Sequence, residues 1–133
     1  MKIVLDTNVL MVSLPSQSKY RKIFDALLAA KFIICISTEI LMEYEEQLSK
    51  WFGIDKTEIH LTEIMQLQNI ELITPSYNWH LIKTDVDDKK FCDCAIASNA
   101  DYIITNDKHF NILKQIKFPK VNILNAEAFL NLL

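Results

Sequence analysis

Asp6, Asp93 and Asp107, with Glu39 or Glu43 between them, stand where alternating strands and helices can bring carboxylates to one edge of a sheet. Asp6 ends the apolar run Lys2-Ile-Val-Leu5, and Asp107 follows the run Tyr102-Ile-Ile-Thr105. Asp93 lies between two cysteines in an apolar helical stretch, an expensive place for an unpaired charge. Glu39 and Glu43 are four apart and so share one helix face. Two unpaired carboxylates about 4 Å apart repel by roughly 4 kcal/mol at an effective dielectric near 20. Three or four together need a cation or protonation. Oxygen-only ligands suit Mg²⁺ or Mn²⁺. Such ions activate a water and stabilise the charge of an in-line phosphoryl displacement. The residues alone point to a metal-dependent phosphoryl or phosphodiester hydrolase.

The elements that must position these acids follow from hydrophobic spacing. Strands are expected at Lys2–Leu5, Phe32–Ile36, Ile70–Thr74, Tyr102–Thr105 and Val121–Leu124. A helix or turn is expected at Val9–Leu14, and a turn at Pro15–Ser18. Helices are expected at Tyr20–Lys31, Thr38 to about Trp51, Asp55 to about Asn69, Lys89–Asn99 and Ala126–Leu133. Ser37 and Asn125 read as N-caps, Gly53 as a helix stop, and Asp55 with Glu58 as a capping box. Asp87 and Asp88 are placed to cap the helix that carries Asp93. The segment Ser76–Thr84 is irregular, with Trp79, Leu81 and Ile82 tacked onto the core, and a loop or short helix is expected around Phe110–Lys117. Five apolar strands separated by helices imply βαβ crossovers and a parallel sheet covered on both faces. Sites in such sheets lie outside the carboxyl ends of the strands.

With 133 residues, half of them hydrophobic and 23% charged, the chain reads as one domain with its own core and not as a disordered segment. No apolar run reaches the length of a membrane span, and no signal peptide is expected. Three cysteines, an odd number, suit a reducing interior, so a cytoplasmic location is expected. A net charge of −3 argues against a broad electrostatic grip on nucleic acid but leaves room for a local one. Lys19, Arg21, Lys22, Lys89, Lys90 and Lys108 each read best as solvated.

Four motifs together resemble the PIN-domain nuclease family. They are Leu5-Asp-Thr-Asn-Val-Leu10, the helix Ser37–Leu48 with its embedded Glu43, Asp93-Cys-Ala-Ile-Ala97, and Ile104-Thr-Asn-Asp107. Each is weak alone; their order and spacing make the signal, which covers essentially residues 1–133. The likeness is greatest to bacterial and archaeal members that act as toxins of toxin–antitoxin pairs, the VapC-like proteins. It implies a three-layer α/β/α fold around a parallel sheet of about five strands, in the order 3-2-1-4-5. It implies that Asp6, Glu43, Asp93 and Asp107 hold one or two Mg²⁺ or Mn²⁺ ions, with Asp88 as a further acid. Asn8 would orient Asp6, and Thr105 would position Asp107 or a phosphate oxygen. The implied reaction is hydrolysis of RNA to 5′-phosphate and 3′-hydroxyl ends. The implied partners are a cognate antitoxin and a second copy of the chain.

Plainer roles compete with these. Asp6 can terminate a strand through an Asx-turn, Asp88 can be only a helix cap, and Asp101 reads as a turn residue. Glu39, in a first helical turn, is explained by the helix dipole, whereas Glu43 is not. Cys35, Cys92 and Cys94 lack a redox or zinc spacing and read as core. His109 or Lys108 could touch a phosphate. Tyr77, Trp79 and Trp51 could stack on bases, with core packing or a dimer interface preferred. A single glycine excludes phosphate-binding glycine loops. An aspartyl-nucleophile phosphohydrolase of the haloacid-dehalogenase kind would want a second Asp where Asn8 stands. A receiver domain would want its acceptor near Thr74-Pro75. A catalytically inactive PIN scaffold that binds RNA or protein is the remaining alternative.

Overall fold

In the computed structural model, which describes residues 1–82 and 88–133, five strands form one sheet. They are β1 (Lys2–Leu5), β2 (Ile33–Ser37), β3 (Ile70–Ile73), β4 (Tyr102–Ile104) and β5 (Ile123–Leu124). Their order is β3-β2-β1-β4-β5, as expected, and every pairing is parallel. β1 is central: Ile3 pairs with Ile34 on one side and with Tyr102 on the other. Ile3, Val4 and Leu5 are wholly buried, which is why the strand is continuously apolar instead of alternating.

α1 (Thr7–Ser13) and α2 (Arg21–Leu28) join β1 to β2, and α3 (Thr38–Phe52) and α4 (Ile54–Met65) join β2 to β3. α5 (Lys89–Ser98) packs across β1, β2, β3 and β4 before the chain enters β4. A 3₁₀ segment (Lys108–Gln115) and α6 (Ala126–Leu132) complete the three-layer α/β/α arrangement. The strand order reverses between β1 and β4, so the crevice at their carboxyl ends is the switch point where such sheets bind ligands.

Ser37 is the link between strand and helix that matters most for the site. Its side chain accepts the Ile40 N–H at 3.2 Å and starts α3 directly at the end of β2. Ser37→Ala should lower stability by about 1 kcal/mol, read from the urea midpoint, with Ser37→Gly costing less. Asn125 caps α6 in the same way, accepting from Ala128 at 2.8 Å.

Several local expectations are corrected. Asp55 does not cap α4. Gly53, at φ 84, ends α3 and begins α4 at once, a backbone conformation open to glycine at little cost. α4 stops at Met65, short of Asn69, whose amide instead donates to the carbonyls of Leu27 (2.9 Å) and Phe32 (2.8 Å). α2 ends at Leu28, because Ala30 turns left-handed (φ 58) to lead into β2. Asp88 occupies the cap position of α5 but makes no side-chain cap bond there. Asp87, the other expected cap, lies outside the described residues, as do the last two residues of the irregular segment, 83 and 84. β5 has only two residues, and the loop or short helix expected around Phe110–Lys117 is a 3₁₀ helix that starts two residues earlier, at Lys108. Asp101 accepts the Lys2 N–H at 2.8 Å and fixes the start of β1 against β4.

Candidate active site

Asp6 leaves β1 at its carboxyl end and occupies the N-cap position of α1 without spending its side chain on a cap bond. Its backbone N–H donates to Ile104 of β4 at 3.0 Å, so the two strand ends are locked together. The Thr105 hydroxyl donates to Asp6 Oδ2 at 2.7 Å and accepts the Asp107 N–H at 3.0 Å. Thr105 therefore fixes the acids of β1 and β4 against one another. Asp6 is buried, and that burial raises its carboxyl to about 6. The Thr105 hydroxyl and the Thr7 N–H pull the other way, while the charges of Glu43 and Asp107 push it up further.

Glu43 reaches this place because α3 is clamped onto β1 by its neighbour. Tyr44 is wholly buried, and its hydroxyl donates to the Leu5 carbonyl at 2.5 Å, one residue before Asp6. Glu43 accepts from the Thr7 hydroxyl through Oε2, and Lys90 Nζ lies 2.8 Å from Oε1. The Lys90 and Glu43 side chains are 17% and 15% exposed, so Lys90 is not a solvated lysine as its sequence context suggests. Glu39 is exposed, as are Glu45 and Glu46.

Asp93 is buried on α5, where its Oδ1 accepts the backbone N–H of Trp79 at 3.0 Å. The thiols beside it are buried and neutral: desolvation pushes both Cys92 and Cys94 up to about 12, so neither is a nucleophile. Asp107 holds its own loop through the His109 N–H at 2.9 Å, and His109 Nδ1 lies 3.4 Å from Asp107 and 3.7 Å from Asp88.

Of the acids expected to converge, Asp6, Glu43 and Asp107 are close enough to repel. Asp93 is held to the 76–82 segment through the Trp79 N–H. Among the described residues, only the ligand atoms of Asp88, Asp107 and His109 already lie within 4.8 Å of one another. Asn8 is exposed, and its side chain makes no hydrogen bond within the described residues. The donor chemistry fits a hard divalent cation. A desolvated carboxylate with two acidic neighbours gains most from an oxygen-seeking ion, and His109 adds one nitrogen donor. Sequence reasoning missed Thr7 and Lys90 as partners of Glu43, and His109 as a possible ligand. His109 carried one signal, its position two residues after Asp107.

Comparison with known proteins agrees with this geometry. A search of curated proteins found no match. Among solved structures, the chain is similar to VapBC2 from Rickettsia felis, bound to a DNA fragment from its promoter. That likeness has a TM-score of 0.64 and 22% identity over 94% of this chain and 98% of that one. It is similar to VapBC-1 from nontypeable Haemophilus influenzae, with a TM-score of 0.60 and 15% identity, over 96% and 99% of the two chains. It is also similar to the PIN-domain endonuclease Utp24, with a TM-score of 0.52 and 23% identity, over 93% and 84%. These likenesses establish the fold. The PIN-domain family model matches residues 2–109, a span holding β1 to β4 and every acid described above, and the chain belongs to the PIN-domain family.

Proposed function

We propose that this protein is a metal-dependent endoribonuclease acting as the toxin of a toxin–antitoxin pair. The observation that carries the reading is the buried Asp6, tied through Thr105 to Asp107 and facing Glu43, at the switch point of a PIN-domain sheet. Asp6, Glu43, Asp93 and Asp107 are the acids we assign to holding Mg²⁺ or Mn²⁺, with Asp88 beside them and Asn8 and Thr105 in support. A bound ion of this kind lowers the pKa of a water and neutralises charge on the phosphoryl oxygens. Thr105 holds Asp6 in one rotamer through Oδ2, and Thr7 does the same for Glu43 through Oε2. Lys90 neutralises part of the acidic charge without leaving the site. Hydrolysis adds one water across the P–O3′ bond and leaves a 5′-phosphate and a 3′-hydroxyl.

The similarity to two VapBC proteins supports a cognate antitoxin, and the proposal includes a homodimer of one PIN-like domain working in the cytoplasm. Among the described residues no helix is long and apolar enough to cross a membrane. End-labelled single-stranded RNA, incubated with the protein in Mn²⁺, Mg²⁺ or EDTA, tests the reading. Cutting is expected with metal only, and Asp93→Asn should slow it by more than about 100-fold, beyond the 10–100-fold typical of a group one step removed from an ion. A protein that cut no RNA and bound no Mn²⁺ by calorimetry would instead be the inactive scaffold.

A further inference from the structure

Three aromatic rings gather on the surface beside Asp93. Tyr77 and Trp79 meet edge to face with ring centres 4.7 Å apart, and Trp79 meets Phe118 in the same way at 6.3 Å. They are not core: Tyr77 is 64% exposed and Phe118 is 84% exposed. An exposed cluster of large rings is costly to leave in water unless something uses it. Trp79 is also the residue whose backbone N–H holds Asp93 Oδ1 at 3.0 Å. The cluster is thus tied through one residue to an acid of the candidate site. Immediately after Trp79, His80 takes a left-handed turn (φ 53), a conformation that costs energy for a residue with a side chain.

Charge indicates which ligand belongs there. Residues 76–82 contain no acid, and residues 108–126 carry four lysines, Lys108, Lys114, Lys117 and Lys120, with no acid among them. Lys114, Lys117 and Lys120 are exposed, and Lys117 adjoins Phe118. In a chain of net charge −3 these two segments are basic, and the acid beside the rings is the buried Asp93. Aromatic faces flanked by lysines are what an unpaired nucleobase and its phosphates require. Protein–protein interfaces share the aromatic rings but are depleted in lysine. Trp51, also exposed, has no ring neighbour among the described residues and stands apart from this arrangement.

We propose that Tyr77, Trp79 and Phe118 form a stacking platform for an unpaired base of single-stranded RNA, next to the phosphate presented to Asp93. The proposal rests on the ribonuclease reading and adds to it a subsite for one base beside the cut. The test is the affinity of fluorescein-labelled oligo(U) by anisotropy in EDTA, where no cutting interferes, for wild type, Tyr77→Ala, Phe118→Ala and Phe118→Trp. Each alanine should weaken binding by about 5-fold or more. The salt dependence should stay unchanged, since no phosphate contact is removed, and Phe118→Trp should restore affinity. Fully paired RNA should bind all four alike. Phe118 is so exposed that its loss leaves the fold intact, checked by an unchanged Tm. Equal oligo(U) affinity for wild type and alanine variants, or no binding by the wild type, overturns the platform. If that comes with a change of oligomeric state in light scattering, the rings are an interface between copies. Weakened binding in a protein that never cuts RNA sinks the nuclease reading and leaves the platform; cutting with unchanged affinity sinks the platform alone.

Discussion

Asp6→Asn should abolish RNA cleavage and, in the same molecule, raise stability at neutral pH. The Asp6 carboxyl is raised from 3.8 to about 6, first by burial and then by its acidic neighbours. The folded state therefore binds the proton more tightly than the unfolded chain does. Stability must fall as pH rises from 3.8 to about 6, and stay level above that. A rise of this size in a buried carboxyl corresponds to about 3 kcal/mol of destabilisation at neutral pH. A neutral amide escapes that cost, and its oxygen can still accept the Thr105 hydroxyl. Thermal unfolding in EDTA should show the variant several degrees more stable at neutral pH, the gap closing as pH falls through about 6 and vanishing below 3.8. Mn²⁺ should raise the Tm of the wild type and barely move that of the variant. Cleavage should drop by more than about 100-fold. A variant less stable than wild type at neutral pH would mean that the Asp6 carboxylate is already well served in the folded protein and that the site has no need of a cation.

The balance between that local cost and the surrounding fold explains what could be read from the sequence. β1 and β4 announced themselves because strands buried by packing on the sheet faces are apolar throughout, and Ser37 and Asn125 because a cap is a local bond between residues three apart. The acids at strand ends were legible for the same reason: a charge closing a buried run has few places to go. Asp55 misled because Gly53, two residues earlier, could make both the end of α3 and the start of α4. Asp88 misled because nothing local reveals that its carboxylate lies near His109, which the chain reaches only after α5 and β4. The partners of Glu43 were beyond local reading altogether. Thr7 and Lys90 come from α1 and α5, and only the packing of three helices at the sheet edge brings them to α3. A lysine in the first turn of a helix looks like a surface residue until the opposing helix is known.

That same lysine gives the second large effect. Lys90 lies at the N-terminal end of α5, where the helix dipole disfavours a cation, so its place depends on Glu43. Removing the charge in Lys90→Met leaves Glu43, among the described residues, with the Thr7 hydroxyl as its one side-chain donor and with the Asp6 carboxylate nearby. An exposed pair would cost little to break and a fully buried one about 3–5 kcal/mol; this pair is mostly buried, and about 2 kcal/mol is expected in EDTA. Saturating Mn²⁺ should close most of that gap, because the ion supplies the positive charge the variant lacks. The variant should also bind Mn²⁺ more tightly than the wild type by calorimetry, whereas Lys90→Arg should resemble the wild type in both measurements. Such a result would identify Lys90 as an internal counter-ion that keeps the acidic site folded without metal and weakens its hold on the ion. Weaker Mn²⁺ binding by Lys90→Met, or a stability gap untouched by Mn²⁺, would mean that the Lys90–Glu43 pair only fastens α5 to α3, and that the acids make room for a cation without its help.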